Sequence, residues 1–238
     1  DIKETDDITI INGLDADLII LSLISHRKNI YLMRENETTM YLNIDKLREA
    51  ILNELKMKWS ISDQENTQDI IESYCVMCSL LGNDFIPHLL TLNLRGNGLD
   101  RLISYTGQAY KMYGLLVQDS QINYAGLSDI LEHIAKNEQE DMHRETSKYI
   151  KHPCPQGSLG QQTPSEYYAL RNKEDIASTI YSNINNWRQI YYKKLFHTNI
   201  NIDSTVVTSA CQQYIKGIYW TYEYYKKKNY DRLWYYPY

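Results

Sequence analysis

The sequence predicts an α/β fold, with an α/β portion over residues 1–120 and a mainly helical portion over residues 121–238. The first observation behind this prediction is a βαββα order of patterns near the start, which is typical of the end of an α/β sheet. The second is that strand signals fade after about residue 115. The later segments space their apolar residues as helices do, so we expect helices to dominate there.

The α/β portion is predicted to contain three strands and three helices. The strands are ITIIN at 8–12, NIYLMRE at 29–35 and TMYLNI at 39–44. A helix over DADLIILSLIS separates the first two strands, and a second helix over IDKLREAILNELKMKW follows the third. The second helix places Ile44, Leu47, Ile51 and Leu55 on one face. A third helix, NTQDIIESYCVMCSLLG, is expected to end at Gly82.

The helical portion is predicted to contain three long helices and one loop. A highly charged helix is expected over residues 126–150, followed by a loop over residues 151–166 that holds three of the five prolines. Two further helices are expected over residues 174–196 and 204–228.

The composition excludes several classes of protein. Hydrophobic residues make up 43% of the chain and charged residues 23%, which is an ordinary globular balance. The net charge of −5 argues against a wholly basic surface for nucleic acid, and an acidic metal site would itself make the sum negative. No apolar run reaches the ~20 residues of a membrane span, so we expect no membrane partner.

The four cysteines are too few for a disulfide framework in a chain of this length. Cys75 and Cys78 form a CxxC, but Cys154 and Cys211 stand alone and offer no second pair for zinc. The CxxC lies in an apolar helical pattern, which predicts core thiols. We therefore expect a reducing, intracellular location.

Three aspartates stand in apolar surroundings, where an unpaired carboxylate is costly. Asp15 and Asp17 follow the first predicted strand, and Asp84 follows the helix that ends at Gly82. Strand ends of α/β folds are common ligand sites, and carboxylate oxygens suit a hard divalent cation such as Mg²⁺. Helix capping by Asp15 and a turn at Asn83–Asp84 are the alternative explanations, and spacing alone leaves both open.

Four blocks of the sequence resemble one family. GLDADLI at 13–19 and LLGNDFIPHLLTLNLRGNGLDRLI at 80–103 are similar to 5′-to-3′ exoribonucleases of the Xrn/Rat type. WRQIYYKKLF at 187–196 and the segment at 214–238 resemble the later block of the same family. The first two blocks would also suit the wider flap-endonuclease and PIN-like nucleases, so the tyrosine-rich segment decides between them.

The resemblance implies both a site and a reaction. Asp15, Asp17 and Asp84 would be catalytic, metal-binding carboxylates for Mg²⁺ or Mn²⁺, with two ions in the complete enzyme. The fold would be part of a PIN/flap-endonuclease-like α/β nuclease core followed by a mainly helical region. The substrate would be single-stranded RNA with a 5′-monophosphate, released one mononucleotide at a time.

The sequence also departs from the family pattern. The family has further acidic ligands, including a paired-glutamate block, and a basic pocket for the 5′-phosphate, and neither is present here. We therefore expect an upstream nuclease half in the parent protein and an inactive isolated chain. A cytoplasmic setting is expected in preference to a nuclear one, although the sequence does not distinguish the two branches of the family. The alternative is a catalytically inactive module, derived from that fold, that binds RNA or protein.

Several other residues are candidates for contact with RNA. Arg95 and Arg101 could contact phosphate, although structural pairing of one with Asp100 or a site carboxylate is the favoured interpretation. His88 is interpreted as a loop or core residue.

The aromatic and basic residues near the chain end have two interpretations each. Trp234 could stack on bases or belong to the core of the helical portion. Tyr224, Tyr225 and the lysines at 226–228 suit a strand-tracking groove, and a solvated helix end explains the lysines equally well. Arg232 stands where the family typically has a second tryptophan.

Overall fold

The structure is a computed structural model and describes residues 7–13, 15–35, 38–92, 94–151, 176–201, 204–228 and 230–238. Within these ranges, no helix is both long enough and apolar enough to cross a membrane. The loop predicted at 151–166 lies, apart from its first residue, outside the described residues.

A three-stranded sheet stands at the start of the described chain. Strand β1 (Thr9–Asn12) pairs in parallel with β2 (Ile30–Glu35), and β2 pairs antiparallel with β3 (Thr39–Asn43). The strand order is β1-β2-β3. The three strands predicted from alternation and β-branched content are therefore confirmed, with ends shifted by one residue.

Three helices follow or flank this sheet, as predicted. They are α1 (Asp17–Ile24), α2 (Ile44–Trp59) and α3 (Thr67–Cys78). Asn43 caps α2 by accepting a hydrogen bond from the Lys46 N–H, and Asn66 caps α3 in the same way from Gln68. Helices α1 and α2 pack against β2 and bury its inward-facing residues Ile30 and Leu32.

A helix and a hairpin that were not predicted from the sequence follow α3. Helix α4 (Gly98–Tyr113) packs on α2, and the indole N–H of Trp59 donates to the carbonyl of Ile103 at 2.7 Å. Strands β4 (Val117–Gln118) and β5 (Gln121–Ile122) form a hairpin through two residues with positive φ. These strands have two residues each, which is too short to leave an alternating pattern.

The charged segment at 126–150 was predicted as one helix, and this prediction was wrong. The structure has α5 (Tyr124–Lys136) and α6 (Glu138–Lys151), separated at Asn137, whose φ and ψ are −107° and 8°. Asparagine weakens a helix interior because its side chain competes for backbone hydrogen bonds. The break lets α6 leave the direction of α5.

The segment at 174–196 was also predicted as one helix, and it is two. Helix α7 (Ile176–Ser182) ends before Asn183, a 3₁₀ turn covers 184–186, and α8 (Trp187–Leu195) follows. The next helix, α9 (Thr205–Tyr225), matches its prediction. Glycine at position 217 allows α9 to approach its neighbours, since a Cβ there would lie 2.5 Å from Ile86 and 2.8 Å from Trp234.

The main hydrophobic core draws on both predicted portions. It extends from Leu23 in α1 to Tyr225 in α9 and includes residues of α2, α3, α4 and α5. A second, smaller cluster joins α6, α7 and α8 around Met142 and Trp187. One buried cluster thus includes residues from both predicted portions, and the domain boundary near residue 120 stays a prediction.

The CxxC segment lies inside α3. Cys75 is buried and Cys78 half-buried, and both thiols are free. Burial raises the pKa of Cys75, and it raises that of Cys78 to about 12, so both are protonated at neutral pH. The prediction of core thiols is confirmed.

Candidate active site

Asp15 and Asp17 lie where β1 gives way to α1. Asp15 is exposed, and its Oδ1 accepts a hydrogen bond from the backbone N–H of Asp17 at 2.9 Å. Asp17 is the first residue of α1 and is half-buried. The capping interpretation thus describes one oxygen of Asp15. It does not account for the carboxylate of Asp17, which points toward other partners.

Asp84 lies in a tight loop after α3. Gly82 has a φ of +87°, and a Cβ there would lie 2.7 Å from the backbone nitrogen of His88, so only glycine fits. The Asn83 side chain accepts hydrogen bonds from the N–H groups of Phe85 and Ile86 at 2.9 and 3.1 Å. Asn83 therefore forms the turn, and the exposed Asp84 side chain is left available.

The C-terminal end of α9 packs beside both aspartate segments. The Tyr225 hydroxyl donates to Oδ2 of Asp17 at 2.9 Å. Phe85, the residue after Asp84, makes edge-to-face contacts with the rings of Trp220, Tyr224 and Tyr225 at centroid distances of 5.0 to 6.3 Å. One helix end thus contacts segments that are more than 60 residues apart in sequence.

The charges of the three carboxylates affect one another and the nearby Tyr225 hydroxyl. Burial raises the pKa of Asp17 above its usual range, the hydrogen bond from Tyr225 lowers it, and the negative charges of Asp84 and Asp15 raise it further. Burial, the hydrogen bond to Asp17 and the charges of the three aspartates raise the pKa of Tyr225. The Tyr225 hydroxyl therefore remains a donor at physiological pH.

The donor set fits a hard cation in its chemistry. Three carboxylates that repel one another would all be stabilised by a divalent ion held by oxygen ligands. Among the residues that the structure describes, however, no three His, Cys, Asp or Glu side chains are arranged closely enough to hold a metal ion. The charges of Asp15 and Asp84 thus act on Asp17, but the three carboxylates do not form a closed metal cage.

A second polar cluster, which we call the Glu72 hub, lies beside this site. Glu72 is 2% exposed, and both its oxygens accept hydrogen bonds from Lys226 Nζ, at 2.6 and 2.8 Å. Tyr222 donates to Oε2, His26 Nε2 lies 2.8 Å from Oε1, and Lys226 also donates to Ser120 at 2.9 Å. The hub joins α3, α9 and the loop after α1.

The Glu72 hub was not predicted from the sequence. Lys226 was interpreted as part of an RNA groove or of a solvated helix end, and the structure contradicts the second interpretation, because its side chain is only 14% exposed and ion-paired. The signal was present in DIIESYCVM, where Glu72 is a charge in an apolar run, as the aspartates are. Its partner lies 154 residues further along the chain and leaves no local pattern.

Arg101, one of the predicted RNA contacts, is engaged within the protein. Arg101 contacts Asp141 and the carbonyl of Thr91. It is paired within the protein, as predicted, but its partner is Asp141 rather than Asp100 or a site carboxylate. The side chain of Arg95 lies outside the described part of the structure. His88 is exposed in the loop that follows Asp84, in agreement with its interpretation as a loop residue.

Trp234 packs against α9. Its indole N–H donates to the side chain of Gln213 at 3.0 Å, and its ring lies 5.3 Å from that of Trp220. The residue is half-buried, so part of the ring remains accessible. Base stacking by Trp234 stays a prediction.

The fold and the site together define a mixed α/β chain. Its acidic cluster lies beside the C-terminal end of β1, which pairs in parallel with β2. The family description "XRN 5′-3′ exonuclease N-terminus" matches residues 2–36, and "Xrn1 helical domain" matches residues 64–156. The chain belongs to the Xrn family of 5′-3′ exoribonucleases. The first match contains Asp15 and Asp17, and the second contains Asp84.

Individual relatives agree with this assignment. The chain is 29% identical over 184 residues to 5′-3′ exoribonuclease 2 of Yarrowia lipolytica, which covers 71% of this chain and 18% of the relative. It is 24% identical over 281 residues to human 5′-3′ exoribonuclease 1, which covers 95% of this chain and 16% of the relative. The chain therefore spans less than a fifth of the length of these relatives.

Proposed function

We propose that this chain forms part of the catalytic region of a Mg²⁺-dependent 5′-to-3′ exoribonuclease that hydrolyses 5′-monophosphorylated single-stranded RNA to mononucleotides. One observation supports this most directly. The segment with Asp15 and Asp17 and the loop with Asp84 are distant in sequence, yet Tyr225 contacts both, through its hydrogen bond to Asp17 and its ring contact with Phe85. Membership of the exoribonuclease family supports RNA as the substrate class.

Asp15, Asp17 and Asp84 are the residues proposed to hold Mg²⁺ or Mn²⁺, with two ions in the complete enzyme. A bound divalent ion supplies Lewis-acid stabilisation of the charge that develops on phosphate oxygens, and it lowers the pKa of a coordinated water. The role of the chain is to present the carboxylate oxygens at fixed positions. The tight loop at Gly82 and the first turn of α1 provide those positions.

The other parts of the proposal follow from the same family assignment. We infer a PIN/flap-endonuclease-like core for the α/β portion and a helical region after it. Trp234, Arg95 and Arg101 are proposed RNA contacts. An intracellular, reducing setting is proposed because the three cysteines in the described ranges are free thiols. Within it, the cytoplasm is proposed as the location.

A catalytically inactive module that binds RNA or protein is the second candidate. The observation that favours it is the lack, among the described residues, of any three ligating side chains close enough for a metal ion. An inactive module would keep Tyr224, Lys227 and Lys228, which are exposed near the end of α9, while its carboxylates hold no ion.

The test of the proposed function is substitution of Asp84 in the complete reading frame. We expect Asp84→Ala to lower the rate of mononucleotide release by at least ~100-fold, because a group that stabilises transition-state charge is lost. Binding of the same 5′-monophosphorylated RNA should change little. Asp100→Ala is the matched control, since Asp100 is also exposed, in α4, and its nearest cation, Lys58, is 4.0 Å away.

Near-normal turnover by the Asp84→Ala enzyme would overturn the catalytic proposal. Absence of Mg²⁺-dependent release by the unsubstituted protein, with RNA binding intact, would support the inactive module instead. A parallel substrate with a 5′-hydroxyl end tests the 5′-monophosphate requirement, because it differs only at that end.

A further inference from the structure

Tyr225 occupies a position between the two aspartate segments. Its hydroxyl donates to Asp17, while its ring contacts Phe85, the residue next to Asp84, at a centroid distance of 6.3 Å. The residue is 8% exposed, so its ring cannot be displaced without disturbing the end of α9. Tyr225 therefore contacts both aspartate segments.

The hydrogen bond from Tyr225 determines which oxygen of Asp17 is engaged. With Oδ2 bound to the hydroxyl, the carboxylate cannot rotate freely, and Oδ1 is directed by the same constraint. Carboxylates that ligate metals are commonly oriented by such outer hydrogen bonds. A tyrosine suits this role because it donates without adding charge to an acidic cluster.

The Glu72 hub fixes the helix end that carries Tyr225. Lys226, the next residue, is ion-paired with Glu72, and Tyr222, one helical turn earlier, donates to the same carboxylate. These bonds fix the last turn of α9 to α3. The ion pair between Lys226 and Glu72 therefore restricts where the hydroxyl of Tyr225 can lie.

We propose that Tyr225 is a positioning residue of the carboxylate site, which orients Asp17 for the divalent ion and links its position to the Asp84 loop through Phe85. This inference rests on the proposed function. It assigns a role in the nuclease site to α9, a helix that lies outside both matched family segments.

The test compares Tyr225→Phe with the unsubstituted protein in the complete reading frame. Removing the hydroxyl should reduce the affinity for Mn²⁺, measured by isothermal titration calorimetry without RNA, by about 10-fold or more. The turnover number should fall by a similar factor at fixed Mg²⁺ and recover in part at higher Mg²⁺. The KM for RNA should stay within about twofold, because Tyr225 acts through Asp17 rather than on the substrate.

Tyr214→Phe is the matched control. Tyr214 also lies in α9 and is buried, and its hydroxyl donates to the carbonyl of Pro87 at 2.9 Å. The control therefore loses one hydrogen bond to the same loop without affecting the Asp17 carboxylate. It should keep the Mn²⁺ affinity of the unsubstituted protein. Equal loss of Mn²⁺ affinity in both variants would reduce Tyr225 to a packing residue and overturn the proposal.

Asp17→Asn separates this inference from the proposed function. If Asp17→Asn abolishes Mn²⁺ binding and Tyr225→Phe leaves it unchanged, the metal site stands and the positioning role fails. If Asp17→Asn itself leaves Mn²⁺ binding and turnover unchanged, the proposed function fails. Should Tyr225→Phe prove unstable by circular dichroism, Phe85→Leu tests the same link from the Asp84 side and should weaken Mn²⁺ binding as well.

Discussion

At the scale of single residues, Trp234 shows how a predicted contact residue can also be a packing residue. Its ring covers the face of α9 at Gly217, and its indole nitrogen is bonded to Gln213. We expect Trp234→Ala to lower the melting temperature, with a loss of about 3 kcal/mol in the free energy of unfolding, because a large side chain leaves a cavity. Differential scanning calorimetry of residues 1–238 measures this change.

Base stacking by Trp234 has a separate expected effect. If the accessible part of the ring stacks on RNA, affinity per folded molecule should weaken by ~1–3 kcal/mol in Trp234→Ala. Tyr235→Ala is the control, because Tyr235 is the neighbouring aromatic residue and is 73% exposed. An unchanged melting temperature would contradict the packing role, and unchanged affinity would contradict stacking.

The carboxylates could be predicted from sequence because a charge in an apolar run is a local signal. Asp15, Asp17 and Asp84 were found in this way, and the resemblance gave them a role. Tyr225 was named only as a residue of a possible RNA groove. Its hydrogen bond to Asp17 could not be predicted, because the two residues lie 208 positions apart and tyrosine is frequent throughout the chain. Pairings of this kind exist only once α9 has packed against α1.

At the scale of elements, the Glu72 hub is the polar connection between α3 and α9. Burial acts to raise the pKa of Glu72, but the hydrogen bonds from His26, Lys226 and Tyr222 outweigh it and lower that pKa to about 2 from its ordinary value of 4.5. The ionised carboxylate is thus stabilised in the folded protein relative to the unfolded chain.

This lowered pKa predicts a specific loss of stability in acid. The stabilisation by Glu72 is fully present above about pH 4.5 and is lost as the pH falls toward 2, where the folded state also takes up the proton. The shift corresponds to about 3 kcal/mol. Urea unfolding of the unsubstituted chain and of Glu72→Gln, measured at several pH values in this range, tests the expectation.

Glu72→Gln isolates this group because the other carboxylates are shared by both proteins. The variant should be less stable at neutral pH, since Lys226 is left buried without its counter-charge. The two unfolding free energies should then converge as the pH falls to about 2. A difference that stays constant with pH would show that Glu72 is not stabilised as the ion.

Element types were predicted better than element boundaries. Alternation found β1, β2 and β3, and helical spacing found α2, α3 and α9. The breaks at Asn137 and Asn183 were missed because a single asparagine is compatible with a continuous apolar pattern on either side. Whether the chain turns at such a residue depends on what each half packs against. Helix α6, for example, packs mainly on α7.

At the scale of the whole molecule, helices cover only part of the sheet, and strand β3 is exposed on both of its faces. Ile30 and Leu32 are buried against helices, whereas Ile8, Ile10, Met40 and Tyr41 are each more than half exposed. Strands β1 and β3 form the two edges of this sheet in the described structure. Exposed apolar residues at a free sheet edge favour association. We therefore expect residues 1–238 alone to associate at moderate concentration.

The last prediction is that this chain alone does not degrade RNA. Mg²⁺ demands near-octahedral oxygen coordination and gives up water reluctantly, and two ions about 3.5–4 Å apart repel each other unless enough carboxylates surround them. The described residues offer Asp15, Asp17 and Asp84 in one neighbourhood, without a closed group of three ligands. These three carboxylates could hold one ion weakly, which is insufficient for a two-ion mechanism.

The measurement is incubation of purified residues 1–238 with 5′-monophosphorylated single-stranded RNA and Mg²⁺ or Mn²⁺, with size-exclusion chromatography to record association. Asp15→Ala is the control for contaminating nuclease, because release that persists in this variant does not come from the site. We expect no mononucleotide release above that background. Steady release that is lost in Asp15→Ala would show that these three carboxylates suffice, and the inactive-chain prediction would then be wrong.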